Sequence, residues 1–396
     1  MSWFGIHGHD EIVSRFQRAI RQGRVASTFL FLGPAGIGKR MFAERLAMTF
    51  LCTRNDPGLM EPCGKCESCR QFLAGTHPDL LRVSKPEDRA SIPIDLFIGP
   101  KEARRQIGLC TELAKKPIYE KRKIAIIDDA DFLNIEGANA MLKTLEEPPK
   151  NSILILLGTT ASRQLPTIRS RCQIIRFQPL ETSVVEEILR EKRAEQIALA
   201  ESVSQMLGKK KVTKKTDSAS NILSEELIPL AAAVSGGSVQ EALALADEGF
   251  WDFREQFLKW LASGVHDRIT LGKAIDDQME LMGKVPAKRR TRLRIIFETA
   301  ADFFRRLAFW LAGNPPSDPL TEKEWRPILT RAAEIWPFDA EGAAHAALKT
   351  SDYLELIQRN VNQSTLIDAW LDELVRIYGG DPTALALTPW GLKPNP

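Results

Sequence analysis

The amino-acid sequence predicts an α/β fold with a parallel sheet over residues 1–180 and an all-α remainder. Short apolar runs alternate with helical stretches in the first part, as they do when helices join the strands of a parallel sheet. A glycine-rich loop lies between the first apolar run and a helical stretch, a context typical of phosphate binding. From Glu181 onward the character of the sequence becomes helical.

Four apolar runs predict strands of the sheet. They cover 28–32, 80–83, 123–129 and 153–160. In open parallel sheets, ligands bind at the carboxyl ends of the strands. We therefore expect the strand ends at Leu32, Asp128 and Thr159 to face a common site.

The composition is that of a globular protein with two or three domains. Of the 396 residues, 44% are hydrophobic, and the formal net charge of +3 is too close to balance to indicate nucleic-acid binding. No apolar run reaches the length of a membrane-spanning helix, and the N-terminus lacks the pattern of a signal peptide. We therefore expect a cytoplasmic protein with no membrane partner.

The loop after the first strand is a phosphate-binding loop with one unusual residue. Residues 33–40 read Gly-Pro-Ala-Gly-Ile-Gly-Lys-Arg, which matches G-x-x-x-x-G-K-[ST] except at the last position. The glycines let backbone N–H groups surround phosphate oxygens, and Lys39 reaches the outer phosphates. Arg40 replaces the Ser or Thr that helps to hold Mg²⁺, and a guanidinium repels a cation. The loop predicts an ATPase frame whose hydrolytic step is impaired.

Two carboxylates end the third predicted strand. Asp128 has the position of the acid that coordinates Mg²⁺ in an ATPase, and Asp129 that of the acid that activates water. The second acid is usually Glu, and a retreat of about 1 Å by a catalytic group can lower a rate about a hundredfold. A solvated strand end is the alternative interpretation. The predicted nucleotide-binding residues are Gly33, Gly36, Gly38, Lys39, Arg40, Asp128, Thr159 and Thr160.

Four of the six cysteines form a cluster with the spacing C-x10-C-x2-C-x2-C. They are Cys52, Cys63, Cys66 and Cys69. Four thiolates surround a tetrahedral Zn²⁺ and leave no position for water, so the segment 52–69 predicts a structural zinc knuckle rather than a catalytic site. Free thiols so close together would be prone to oxidation, which makes them the weaker alternative. Cys110 and Cys172 stand apart and are expected to be small buried hydrophobic residues.

The helical part divides at a change of composition. Residues 181–249 predict a small helical domain, interrupted by the basic segment 208–220, which has no hydrophobic face. A solvated loop is the favoured interpretation of that segment, and a nucleic-acid contact is the alternative. Amphipathic stretches at Arg292–Ala312 and Tyr353–Tyr378 then predict long helices in a separate domain, 250–396.

Arg171 follows the last predicted strand, in the sequence Ser170-Arg171-Cys172. An arginine on such a loop is either structural or a finger that reaches the γ-phosphate of a neighbouring subunit, where it is worth about 10³–10⁵ in rate. The loop by itself favours the structural role.

Together these features resemble the bacterial DNA polymerase III clamp-loader subunits of the AAA+ superfamily. The resemblance covers residues 5–180. It rests on the phosphate loop, the cysteine knuckle and the segments 5–10, 77–79, 139–149 and 170–172. It implies an AAA+ module with structural zinc over 1–180, a helical lid over 181–249 and a helical collar over 250–396.

Within this family, gamma/tau subunits are the motor and delta-prime is the rigid partner. The gamma/tau pattern has Thr or Ser where this chain has Arg40, and Glu where it has Asp129. It has an arginine where this chain has Gln240. The Ser-Arg-Cys triplet is intact, and the segment 359–363 is similar to the last helix of delta-prime. The resemblance therefore implies a delta-prime type that hydrolyses little or no ATP and donates Arg171 in trans.

The same resemblance implies gamma/tau and delta subunits, the sliding clamp and, through the assembled complex, primer–template DNA as partners. Membership of the polymerase holoenzyme would make the chain part of a nucleotidyltransferase, whatever its own activity. Two alternatives stay open. One is an active gamma/tau-like ATPase that binds ATP and Mg²⁺ despite Arg40, and the other is a zinc-containing DNA-binding scaffold that uses the knuckle and the basic segment.

Overall fold

The chain is described here by a computed structural model. It covers residues 3–86, 89–119, 121–206, 222–265, 267–283, 285–314, 324–358 and 361–385. The chain divides into two compact units, Met1–Ala246 and Asp247–Pro396. The basic segment 208–220, and with it the DNA contact considered for it, lies outside the described residues. The further division into three domains stays a prediction.

The N-terminal unit is built on a five-stranded sheet in which all adjacent strands are parallel. The strands are β1 (Thr28–Leu32), β2 (Leu80–Val83), β3 (Lys123–Ile127), β4 (Ser152–Gly158) and β5 (Gln173–Arg176). Their order across the sheet is β2-β3-β4-β1-β5, so β1 lies between β4 and β5. The predicted parallel α/β fold is therefore confirmed. The edge strand β5 was not predicted; it has four residues, of which Ile175 is buried.

Helices cover both faces of this sheet. They are α1 (Asp10–Arg21), α2 (Lys39–Leu51), α3 (Glu67–Leu73), α4 (Asp95–Ile98), α5 (Leu109–Ala114), α6 (Ile135–Glu146) and α7 (Pro166–Arg169). The chain continues with α8 (Thr182–Met206), α9 (Ile228–Val234) and α10 (Val239–Leu245), which pack against one another. Successive residues of β1 point to opposite faces. Phe29 and Phe31 therefore join one hydrophobic cluster with Phe42 of α2, whereas Leu30 and Leu32 join the other cluster.

The segment before β2 holds a buried carboxylate. Asp79 is fully buried, and its side chain accepts hydrogen bonds from the backbone N–H of Ile118 at 2.9 Å and of Tyr119 at 3.1 Å. The Lys123 ammonium lies 3.7 Å from the same carboxylate. His77 contacts Ser68 Oγ through Nε2 at 2.9 Å. The His-Pro-Asp motif therefore fastens the loop before β3 to the start of β2.

We expect Asp79→Ala to lower the free energy of unfolding by about 3–5 kcal/mol, because it leaves the buried ammonium of Lys123 and two backbone N–H groups without their acceptor. Urea unfolding followed by circular dichroism measures the change. Asp95→Ala is the matched control, since the Asp95 side chain is 54% exposed and lies 3.9 Å from Arg104, and it should cost about 1 kcal/mol or less. Equal losses in the two variants would contradict a structural role for Asp79.

The C-terminal unit is helical in its described part. Its helices are α11 (Glu248–Ala262), α12 (Arg268–Leu281), α13 (Pro286–Leu311), α14 (Arg326–Ile335), α15 (Ala340–Gln358) and α16 (Gln363–Tyr378), followed by a 3-10 helix at Pro382–Leu385. Buried aromatic rings form its centre, with the Phe297 and Trp370 centroids 4.7 Å apart. This unit therefore has a hydrophobic core of its own.

The prediction of one helix over Tyr353–Tyr378 was wrong, because α15 ends at Gln358 and α16 begins at Gln363. The side chain of Asn362 accepts hydrogen bonds from the N–H groups of Ser364 at 3.0 Å and Thr365 at 3.4 Å. This is an N-cap, which starts a new helix. Arg359 and Asn360, part of the delta-prime-like segment, lie outside the described residues.

None of the helices in the described ranges combines the length and the apolar character that a membrane span requires.

Candidate functional site

The phosphate loop joins β1 to α2 and is open on one side. Gly36 and Gly38 have φ values of +76° and +95°, in the left-handed region that glycine adopts without strain. A Cβ atom on Gly38 would meet nothing within 4 Å. The first backbone bond of α2 runs from Phe42 N to Gly38 O at 2.9 Å, and helix geometry leaves the preceding N–H groups without intrahelical acceptors. These groups and the open space form a cradle of the kind that binds phosphate.

Lys39 extends back into this loop. Its side chain is largely buried, and Nζ donates hydrogen bonds to the carbonyl oxygens of Gly33 at 2.7 Å and Pro34 at 2.5 Å. Burial lowers the pKa of Lys39, and the carboxylates of Asp131 and Asp128 oppose that shift. The ammonium is therefore held where it can exchange loop carbonyls for phosphate oxygens.

The other side of the loop is covered by the start of α10. The carbonyl oxygen of Gly36 accepts a hydrogen bond from Val239 N at 3.1 Å. A Cβ atom on Gly36 would overlap Ser238 Oγ and lie 2.8 Å from Gln240 Cβ. Gln240, at the position where the gamma/tau pattern has an arginine, therefore lies beside the phosphate loop.

Arg40 forms an ion pair with the predicted magnesium ligand. Its Nη1 lies 3.3 Å from Asp128 Oδ2, and its Nε lies 3.5 Å from Glu44 Oε1. Arg82 approaches the same Glu44 oxygen at 3.6 Å. A guanidinium thus faces the carboxylate that would coordinate Mg²⁺, and it supplies positive charge in place of a hydroxyl oxygen. These residues do not fit Mg²⁺ in the arrangement that the motif predicts.

Asp129 is poorly suited to activating water. It has a φ of +56°, and its backbone N–H donates to Asp128 Oδ1 at 3.0 Å. Burial raises the pKa of Asp129, and the neighbouring Asp128 carboxylate raises it further. Its side chain is also one methylene shorter than that of the glutamate that usually activates water, so the carboxylate reaches less far.

The two threonines after β4 have different surroundings. Thr159 O accepts a hydrogen bond from Gly33 N at 3.0 Å, whereas Thr159 Oγ1 donates to Asp131 Oδ2 at 2.5 Å. Thr160 is exposed, with Oγ1 3.1 Å from Ser162 Oγ. The side chain of Gln164 also donates to Asp131. Asp131 was not predicted as a site residue. The sequence feature that could have identified it is a third acid just after Asp128 and Asp129.

The predicted zinc ligands come together. One sulfur from each of the four cysteines lies within 4.8 Å of the others, the cysteines being Cys52, Cys63, Cys66 and Cys69. Backbone N–H groups donate to three of these sulfurs: Cys63 N to Cys52 Sγ at 3.4 Å, Cys66 N to Cys63 Sγ at 3.3 Å, and Cys69 N to Cys66 Sγ at 3.4 Å. Such bonds stabilise thiolates. The four residues fit a structural Zn²⁺, which would link the end of α2 to α3.

The side chain of Arg171 forms its hydrogen bonds with groups outside the phosphate loop of its own chain. Its Nε donates to Glu146 Oε1 at 2.7 Å, and its Nη1 donates to Thr167 O at 3.0 Å and Ser170 Oγ at 3.1 Å. The side chain is 31% exposed, and that of Glu146 is 50% exposed. The guanidinium is therefore accessible from solvent and held by groups at the surface.

The N-terminal region has recognisable relatives. Residues 8–181 match the family model described as DNA polymerase III, delta subunit. The delta' subunit of DNA polymerase III from Pseudomonas aeruginosa is 39% identical over 147 residues, which is 37% of this chain and 42% of that protein. The delta' subunit from Bacillus subtilis is 36% identical over 180 residues, 46% of this chain and 50% of that protein.

Other matches extend further along the chain. The tau subunit from Bacillus subtilis is 28% identical over 285 residues, 71% of this chain and 46% of that protein. A solved gamma subunit-related protein from Thermotoga maritima covers 92% of this chain and 99% of its own, at 16% identity and a TM-score of 0.37. The chain spans about half the length of the curated relatives that it matches. The resemblance predicted from the motifs is confirmed, since the N-terminal region is similar to clamp-loader-type subunits of DNA polymerase III.

Proposed function

We propose that the chain is a delta-prime-type subunit of the DNA polymerase III clamp loader that has little or no ATPase activity of its own. The ion pair between Arg40 and Asp128 carries this proposal, because it puts a guanidinium where hydrolysis needs a metal ion. The chain would join gamma/tau and delta subunits in the cytoplasm and help them place the sliding clamp on primer–template DNA.

In this proposal Arg171 acts in trans on the ATP bound by the adjacent gamma/tau subunit. Its partner Glu146 is half exposed, and exposed ion pairs contribute about 0–1 kcal/mol, so the guanidinium leaves that partner at little cost. A γ-phosphate accepts charge-assisted hydrogen bonds from a guanidinium, often two at once. Arg171 would therefore exchange the carboxylate for phosphate when the subunits meet.

The helical parts would supply the lid and the collar. Residues 181–249 would form the lid, an assignment supported by the contact of Val239 with Gly36 in the phosphate loop. Residues 250–396 would form the collar that joins the subunits, an assignment supported by the separate aromatic core of the C-terminal unit.

Reconstitution tests the proposal. The full chain is mixed with purified gamma/tau and delta subunits, and the products are separated by size-exclusion chromatography and assayed for clamp loading on primed DNA. We expect a complex that contains this chain and loads the clamp, and poor loading when the chain is omitted. A chain that stays apart from the other subunits, or a complex that loads equally well without it, would contradict the proposal.

A gamma/tau-like ATPase is the second candidate function. The tau match favours it, because it covers 71% of this chain, whereas the two delta' matches cover 37% and 46%. This candidate predicts ATP hydrolysis by the isolated chain that Lys39→Ala abolishes. The absence of hydrolysis by the isolated chain would reject it.

A further inference from the structure

We infer that the phosphate loop binds a nucleoside triphosphate without a divalent cation, with Arg40 supplying the positive charge that a metal ion supplies elsewhere. The inference goes beyond the proposed function, which requires only that hydrolysis is slow. It rests on that function for the choice of ATP as the probe.

Asp128 is the carboxylate that a metal ion at this site would need. Asp128 already has a cationic partner, since Arg40 Nη1 lies 3.3 Å from its Oδ2. A divalent ion beside that oxygen would face the guanidinium at close range, and like charges repel strongly at such separations. The pair also removes the repulsion that a lone carboxylate would exert on the phosphates of a ligand.

The guanidinium of Arg40 can reach the phosphates of a ligand. Arg40 is in the first turn of α2, and its side chain is 62% exposed, so it can reorient at little cost. A guanidinium has five N–H donors in a fixed plane, which allows it to keep a carboxylate and also bind phosphate oxygens. A hydroxyl at this position needs a metal ion as intermediary, whereas Arg40 does not.

Lys39, Gly38 and the start of α2 form the rest of the cradle. Lys39 Nζ donates hydrogen bonds to the carbonyl oxygens of Gly33 and Pro34. The space beside Gly38 is open, and the N-terminus of the thirteen-residue α2 faces that space. The side chains of Lys39 and Arg40 and the first N–H groups of the helix therefore lie together at the start of α2. Polyphosphate is the ligand class that such a set recognises.

Binding without a metal ion is compatible with slow hydrolysis. Phosphoryl transfer needs the developing charge to be neutralised and a water molecule to be oriented. Asp129 is one methylene shorter than the glutamate that usually orients this water, and a retreat of about 1 Å by a catalytic group can lower a rate about a hundredfold. The nucleotide would remain bound intact and stabilise the folded chain, because a ligand that binds only the native state raises its Tm.

Isothermal titration calorimetry of the full chain with ATP tests the inference, in excess EDTA and in excess Mg²⁺. We expect similar affinities in the two conditions, within about threefold. Arg40→Thr restores the usual motif, so it should lose about tenfold or more in EDTA and regain affinity with Mg²⁺. Arg40→Ala should bind weakly in both conditions. Arg70→Ala is the matched control, since Arg70 is 68% exposed and pairs with Glu67 at 2.8 Å, and it should bind like the unaltered chain.

Two outcomes overturn the inference. One is ATP binding by the unaltered chain that requires Mg²⁺, and the other is the absence of binding in both conditions, which would make the loop purely structural. Neither outcome affects the proposed role of Arg171, which is measured on the ATP of a neighbouring subunit. Arg171→Ala should leave ATP binding by the isolated chain unchanged, so the two proposals fail separately.

Discussion

Arg171→Ala is expected to slow ATP hydrolysis about 10³–10⁵-fold at the neighbouring ATP site that we propose this arginine completes in an assembled clamp loader. The guanidinium stabilises charge that develops on the transferred phosphoryl group, and an alanine leaves that charge without its partner. Clamp loading should fall with it. Assembly should persist, because the side chain contacts only Glu146 and its own loop among the described residues.

Single-turnover hydrolysis by the reconstituted complex measures this effect, since sites that do not use Arg171 obscure it in the steady state. Arg163→Ala is the control, because Arg163 is an exposed arginine of the same loop region. Arg171→Lys keeps the positive charge but loses the planar guanidinium, so its hydrolysis rate should lie between those of Arg163→Ala and Arg171→Ala. An unchanged rate in Arg171→Ala, with the complex intact, would exclude the trans role.

Removal of a zinc ion that the cysteine cluster would hold is expected to destabilise the N-terminal unit by about 3 kcal/mol or more. That is a part of the roughly 10 kcal/mol that structural zinc contributes in small peptides. For a unit of this size, a loss of about 3 kcal/mol is a fall in Tm of roughly 6–12 °C. The cluster joins two elements of the core, since Cys52 follows α2 and Cys66 precedes α3. Without the ion, the four sulfurs remain within 4.8 Å of one another, and thiolates so close together repel.

Thermal unfolding with and without a strong chelator measures this effect, together with the zinc content by atomic emission. Cys66→Ser should lower both the zinc content and the Tm, and the chelator should then have little further effect. Cys172→Ser is the control, because Cys172 lies outside the cluster, and it should retain zinc. A chain that contains no zinc after purification under reducing conditions, yet unfolds at the same temperature with chelator, would exclude a structural metal.

Local patterns account for the parts of the structure that the sequence predicted. The glycines of the phosphate loop, the apolar run before them and the helix after them are neighbours in the chain, so their geometry follows from short-range rules. The cysteine cluster also follows from spacing. The predicted strands over 123–129 and 153–160 end earlier, at Ile127 and Gly158, because carboxylates and threonines after the last buried residue leave the ladder.

The sequence by itself therefore determined the parallel α/β class of the N-terminal part, the phosphate loop, the cysteine cluster and the resemblance to clamp-loader subunits. Only the tertiary structure decided that Arg40 pairs with Asp128, that Arg171 rests on Glu146 and that Val239 contacts Gly36. Each of these contacts joins residues far apart in the chain. Such contacts depend on strand order and on how helices pack against the sheet, which no local pattern of side chains specifies.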